Sequence, residues 1–220
     1  MPLEIRPVES KKELEAFLHV PWTLGMKSDP NWVPPLLDDY RRSLNPKKSP
    51  FLKHGEVKCF LALQDGHPVG RISAQIDTDF DKQWPQEKGV AFFGFFDSKD
   101  DPAVARALFD AAAAWARGKG RTTIRGPFIL DSKGEVGVLV EGFDTPPRIG
   151  MPHNRPYLGP LIAVAQISNY EVRMIVPVLP MLLVLALVAI TPKLETPPPQ
   201  DGVLDKGEQP KLDENDDWRK

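Results

Sequence analysis

Residues 89–120 read GVAFFGFFDSKDDPAVARALFDAAAAWARGKG, and this stretch decides the fold. Its first third is an apolar run holding Phe92, Phe93, Phe95 and Phe96. Aromatic side chains at successive positions fall on both faces of a strand, so the run suits a strand buried on both sides. Gly94 interrupts it, and a glycine inside a strand marks a bulge or a close approach to the backbone. Asp97, Asp100 and Asp101 then precede Pro102. An acidic cap followed by proline at the first helical position is a helix start. Val104, Leu108, Ala112 and Trp115 recur at helical spacing and give that helix one apolar face. Gly118 and Gly120 end it. A buried strand feeding an amphipathic helix is the core of an α/β domain, and ligands in such folds sit where strand ends and helix begins.

On the N-terminal side, Leu3 to Val8 reads as a first strand. Ser10 with Glu13 forms a capping box that opens a helix through about Val20. Asp29-Pro30-Asn31-Trp32-Val33-Pro34-Pro35 is a stiff turn, a short helix over Leu36 to Leu44 follows, and 45–51 is an ordered loop. Glu56–Gln64 and Val69–Asp79 alternate apolar and polar residues around Asp65-Gly66, which predicts a hairpin. Beyond residue 120, Arg121–Arg125 is a strand candidate entering the Gly126-Pro127 turn, Val136–Val140 is ambiguous, and 142–157 is loop.

The net charge is −2, which argues against nucleic acid as a partner, since such binders carry a basic excess or stripe. Cys59 is the single cysteine, so neither an intrachain disulfide nor a cysteine-based zinc site is expected. His19, His54, His67 and His153 show no metal-ligand spacing, and no metal is expected. MPLEIRPVES has no apolar core of a signal peptide, which places the folded part in the cytoplasm.

After about Ile162 the character changes. Residues 174–192 carry no charge and are mostly aliphatic, a stretch long enough to cross a bilayer core of about 30 Å. The alternative is a helix buried in a soluble fold. The chain thus divides into a folded domain over 1–165, a linker with a membrane helix over 166–192, and a proline-rich, acidic, disordered tail over 193–220. The expected location is the membrane surface with the domain in the cytoplasm and lipid as a partner through 174–192. Burial of the apolar helix would instead make the protein soluble and cytoplasmic.

Seven blocks in order carry a family resemblance: DPNWVPPL (29–36), NPKKSPF (45–51), PVGRISA (68–74), FFGFFDSKDDPAVARALFDAA (92–112), RGP (125–127), GFDTPP (142–147) and MPHNRPY (151–157). On these, residues 1 to about 162 resemble an uncharacterised bacterial family with the acyl-CoA N-acyltransferase, or GNAT, fold. The resemblance implies an α/β domain whose mixed, mainly antiparallel sheet is flanked by helices. It implies acetyl-CoA or another acyl-CoA in a V-shaped opening beside the fourth strand, with a small-molecule amine as acceptor. The positions it assigns to the cofactor are Gly94, Phe95, Phe96, Asp97, Ala103, Val104 and Ala105, with Gly94 at the bulge that opens the V.

Two departures from the family stand out. Its pyrophosphate loop reads Gln/Arg-x-x-Gly-x-Gly/Ala, where this chain has Asp100-Asp101-Pro102-Ala103-Val104-Ala105. Pro102 removes an N–H donor from the helix start, and each aspartate at about 5 Å from a phosphate costs on the order of 1–3 kcal/mol. The loop therefore opposes the cofactor that the fold implies and suits a helix capped by aspartate. Past Tyr157 the family continues with a helix and two strands, whereas here no alternating pair is left after Ile162, so the last strands are expected to be missing.

For an acyl transfer, the amine must lose a proton and the leaving thiolate must gain one. The resemblance points to Glu135 or Glu141 for the first and Tyr157 for the second. His153 is a pocket candidate in a loop, and Cys59, in an apolar strand without a basic neighbour, reads as core. Three functions fit these residues: an N-acyltransferase with weakened or lost activity tethered to a membrane, a non-catalytic module binding a cationic ligand or peptide, and a fused or truncated reading frame.

Overall fold

The computed structural model describes residues 2–130, 134–165 and the backbone of 171–174. The apolar stretch beyond Met174 and the acidic tail lie outside the described residues. Among those described, no helix is long and apolar enough to cross a membrane.

The elements in chain order are β1 (Leu3–Pro7), α1 (Lys11–Leu18), α2 (Val20–Thr23), α3 (Leu37–Ser43), β2 (Gly55–Gln64), β3 (His67–Asp77), α4 (Thr78–Gln83), β4 (Val90–Ser98), α5 (Pro102–Gly118), β5 (Thr123–Gly126), α6 (Leu158–Val164) and β6 (Glu171–Met174). They form one sheet in the order β1-β2-β3-β4-β5-β6. The first four strands are antiparallel, while β5 pairs parallel with β4 and β6 parallel with β5. The expected mixed, mainly antiparallel sheet flanked by helices is present.

Local chemistry sets the element ends where the sequence puts them. Ser10 and Glu13 close a reciprocal capping box on α1, and Asp65 and Gly66 both take positive φ in the β2–β3 turn. Asp101 caps α5 by accepting from the Ala103 amide at 2.9 Å, with Pro102 at the first helical position. Two elements differ from expectation, and a third follows the resemblance rather than any local signal. α4 begins at Thr78, two residues inside the strand read over Val69–Asp79, because the Asp77 carboxylate takes the amides of Asp79 and Phe80 and turns the chain into a helix. α6 follows Tyr157, where the resemblance puts a helix, although no side-chain cap announces it locally. β6 lies in a stretch read as linker, so of the last strands expected to be missing one is present, and its last residue, Met174, is the residue read as opening the apolar span.

The sheet is covered on both faces. Cys59 to Leu63 of β2 are all buried, so the alternating half-exposed strand expected there is a central one instead. Phe60, Ala62, Ile72 and Phe93 face α5, whose Val104, Leu108, Phe109 and Ala112 form the other half of that core. Cys59, Leu61 and Leu63 face α1 and α2 with Phe17, Leu18 and Val20. A fully buried side chain such as Leu108 contributes about 1.5–3 kcal/mol.

β4 changes face part-way along. Arg71 opposes Asp97 and Ser73 opposes Gly94, so β4 holds one residue more than β3 in that interval. The extra residue is a bulge, and Phe95 sits in it with φ at +46°. Positive φ is rare for a bulky side chain and costs on the order of 1–3 kcal/mol. In return the bulge sends neighbouring aromatics to opposite layers. Phe93 and Phe96 both pack on Phe109 of α5, at 4.9 and 4.8 Å between ring centroids. Phe95 points the other way, edge-on to Phe17 at 5.6 Å and Tyr40 at 5.0 Å.

Candidate functional site

A cleft lies over the end of β4 and is lined from both layers, by Phe95 and Tyr40 from the α1–α3 side and by Phe96 and Leu158 from the α5 side. Its floor is Phe95, Phe96 and Asp97, placed there by the bulge. Its walls come from the turn before α3 and from the long connection between β5 and α6. An irregular connection of that length inside a compact domain commonly serves a site. Here it is anchored rather than loose. Gln75, fully buried on β3, donates to the carbonyls of Phe128 and Leu130 at 3.0 and 3.1 Å. Asn154 accepts from the Leu139 amide at 2.7 Å and donates to the Leu139 and Arg155 carbonyls.

Four polar groups on the cleft wall matter for chemistry. Arg71 is buried and gives Nε to Asp97 Oδ2 at 2.7 Å and Nη1 to the Phe17 carbonyl at 3.0 Å. Its guanidinium lies 5.3 Å from the Phe17 ring centroid and 5.5 Å from that of Phe95. Glu135 accepts from the Tyr40 hydroxyl at 3.4 Å. Burial pushes the Glu135 carboxyl above its ordinary value, with the nearby Asp97 charge adding to the rise. The Tyr40 phenol is also pushed up, first by burial and then by Glu135, so Tyr40 stays neutral and donates.

The fourth group is a histidine. His153 lines the cleft with only 2% of its side chain exposed, and its Nε2 lies 3.1 Å from Asp29 Oδ2. The other Asp29 oxygen accepts the Asn31 amide at 3.0 Å. That amide, opposed by burial and seconded by His153, holds the Asp29 carboxyl below its ordinary value. Asp29 is therefore an acceptor, and Nε2 carries the ring proton. His153 Nδ1 is sealed from solvent and has no hydrogen-bond partner among the described residues. A buried polar atom left unpaired costs about 1–3 kcal/mol. Arg155 completes the link between the loops, donating to the Gly25 carbonyl at 2.8 Å and to Ser28 Oγ at 3.1 Å.

The other boundary of the cleft is the split between β4 and β5. The two strands pair only over Val90–Phe92 with Thr123–Arg125. The Phe128 amide then donates to the Phe93 carbonyl, and the Phe128 carbonyl crosses over Gly94. Past Gly94, no further backbone hydrogen bond joins β4 to the chain after β5 among the described residues. The strands part there.

No protein-family model matches the chain. A bacterial ceramide synthase of Caulobacter vibrioides is 46% identical over 160 residues, covering 73% of this chain and 41% of that one. Protein YghO of Escherichia coli is 42% identical over 153 residues, covering 70% of this chain and 38% of that one. The chain thus spans about two-fifths of the length of the curated relatives it matches. Among solved structures, a tandem GNAT protein from the clavulanic acid biosynthesis pathway superposes with a TM-score of 0.50 at 19% identity, covering 74% of this chain and 43% of that one. The folded part of the chain is GNAT-like.

In the GNAT-like domain the residues assigned to the cofactor take different places. Phe95, Phe96 and Asp97 line the cleft, and Gly94 sits beneath the Phe128 carbonyl at its edge. Val104 and Ala105 are buried in the α5 core, and Ala103 is exposed. The Asp101 carboxylate, itself paired with Lys99 at 3.0 Å, already takes the Ala103 amide. The start of α5 thus offers a carboxylate at the positions that the sequence resemblance assigns to a pyrophosphate. Glu135 is in the cleft wall and Glu141 is exposed on a loop. Tyr157 stands at the start of α6, and burial raises its phenol, with Asp97 and Asp100 adding to the rise. Cys59 is buried in the core and its thiol is pushed up to about 12, so it is not a nucleophile. Sequence reasoning missed Asp29, which stands in a quoted block but shows no link to a histidine 124 residues away.

Proposed function

We propose that this chain is the GNAT-like portion of an N-acyltransferase that joins a fatty acyl group from acyl-CoA to the amine of a long-chain base. The observation that carries this reading is the 46% identity over 160 residues to a bacterial ceramide synthase. A ceramide is the amide of a fatty acid with a long-chain amino alcohol, so its synthesis is an N-acylation. The cleft supports such an acceptor. Met26, Trp32 and Val33 give it apolar walls, and Glu135 gives it a carboxylate for an ammonium group.

In this reading the thioester end of the donor runs along the free edge of β4, and the α5 start contributes no pyrophosphate site. Tyr157, a neutral phenol at the start of α6, gives its proton to the leaving thiolate. Glu135 draws the ammonium head of the acceptor into the cleft. Both substrates are amphiphiles, and the apolar segment 174–192 suits a contact with lipid. The test is to incubate the full chain with palmitoyl-CoA and sphinganine in detergent micelles and to look for the amide by mass spectrometry and for free thiol. Formation of both in equal amounts supports the reading. Absence of product at millimolar substrate removes it and leaves a non-catalytic site for cationic amphiphiles, which the Asp101-capped helix would favour over phosphate binding.

A further inference from the structure

We infer that His153, oriented by Asp29, is the group that takes the proton from the acceptor amine; this rests on the acyl-transfer reading above. Glu135 is the carboxylate expected at that step from the sequence, and the geometry points elsewhere. Glu135 already accepts the Tyr40 hydroxyl. His153 is a buried ring on the cleft wall whose Nε2–H is committed to a carboxylate and whose Nδ1 lone pair is committed to nothing. A carboxylate that fixes the tautomer of a histidine and leaves its second nitrogen free is the arrangement of a general base.

A purely structural clamp between the turn before α3 and the loop before α6 accounts for the Asp29 bond but not for the free nitrogen. Tying those loops needs one donor, and Arg155 shows that a guanidinium does it from the same loop without leaving a buried atom unpaired. The free nitrogen is what the clamp does not require.

The step balances as follows. The amine, entering as an ammonium, releases one proton to solvent on binding. As its nitrogen attacks the thioester carbonyl and the C–N bond forms, the second proton passes to His153 Nδ1, which the entering acceptor must uncover because the atom is sealed from solvent. The C–S bond breaks, and the thiolate takes a proton from Tyr157. Deprotonation of the imidazolium and reprotonation of the phenol restore both side chains, with one proton released overall. Asp29 acts as a positioning residue, and its charge stabilises the imidazolium while it lasts. The other charged or titratable groups around the ring are Arg155 on the loop, and Arg71, Asp97, Tyr40 and Glu135 on the cleft wall.

His153→Gln is the informative variant, since its amide still donates to Asp29 but offers no basic nitrogen. In the full chain, with palmitoyl-CoA and sphinganine, kcat should fall by about 10²–10⁴-fold while both KM values stay within about twofold. The acid limb of the pH profile should vanish with it. A His153→Gln enzyme with unchanged kcat and pH profile overturns the inference while leaving the acyl-transfer reading intact. Should the wild-type chain form no amide, that reading fails, and nitrogen NMR of ¹⁵N-histidine-labelled protein judges the dyad by itself. An unprotonated Nδ1 whose signal moves on adding sphinganine, and an Asp29→Asn variant that shifts the proton to Nδ1, support the assignment. A protonated Nδ1 in the wild type, or a signal indifferent to sphinganine, overturns it.

Discussion

The carbonyl oxygen of Phe128 lies 1.8 Å from the point where a Cβ on residue 94 would stand. Gly94 is thus the place where the chain leaving β5 closes over β4 before the two part. Gly94→Ala should cost about 1–3 kcal/mol or more, because backbone must move to admit one methyl. Gly118→Ala, at the end of α5 with nothing within 4 Å, should be neutral or stabilise by up to about 1 kcal/mol. Urea midpoints of the two variants check this, and equal midpoints would show that the Phe128 contact yields easily.

Arg71 and Asp97 predict an asymmetric pair of substitutions. Their side chains are 5% and 22% exposed. Removing Asp97 leaves a guanidinium deep between two phenylalanine rings, whereas removing Arg71 leaves a carboxylate that water reaches. Asp97→Ala should cost roughly 3 kcal/mol, near the lower bound for breaking a buried pair because the Phe17 carbonyl still accepts. Arg71→Met should cost less. Chemical denaturation of both, and of the double variant, measures the order and the coupling.

Asp101 predicts an acid dependence. Its carboxyl is held low, first by the Lys99 ammonium and then by the Ala103 amide. A depressed carboxyl stabilises the fold above its unfolded value of about 3.9 and loses that effect as pH falls through the lower folded value. Asp101→Ala should therefore cost about 1 kcal/mol at pH 7, and the gap to wild type should narrow below about pH 4. Melting curves at both pH values are the check, and a gap independent of pH would refute the charged cap.

Glu135 predicts the opposite sign. Its carboxyl is raised by burial, so it favours the fold below the unfolded value of about 4.3 and loses that contribution as pH rises through the folded one. Glu135→Gln, which still accepts from Tyr40, should raise the melting temperature at pH 7 and match wild type below about pH 4. A variant less stable than wild type at pH 7 would mean that the charge is better paired than burial implies.

Much of the fold was legible because it was written locally. The Asp65-Gly66 turn, the Ser10–Glu13 box and the Asp101-Pro102 start each need only a few adjacent residues, and each stands where it was read. The phenylalanine run declared a doubly buried strand and Gly94 a close backbone approach. The one-residue displacement of the bulge to Phe95 was not legible, since a positive φ at a bulky residue is imposed by β3 and the Phe128 loop together. β6 was missed for a similar reason, as its four residues owe their state to pairing with β5. Of the cleft, Glu135 and the Phe95–Asp97 floor were named in advance, and His153 was named without its link to Asp29. Asp29 carried no separate signal, because a stiff proline turn explains an aspartate equally well.

The tie between Asp29 and His153 also dictates when the cleft can exist. On a ribosome adding about 5–20 residues per second, the two side chains are synthesised roughly 6–25 s apart, being 124 positions apart. Until the later loop emerges, the cleft side of the aromatic floor lacks its second wall. A nascent chain stalled before residue 150 would present that oily surface to chaperones, and only the finished one conceals it.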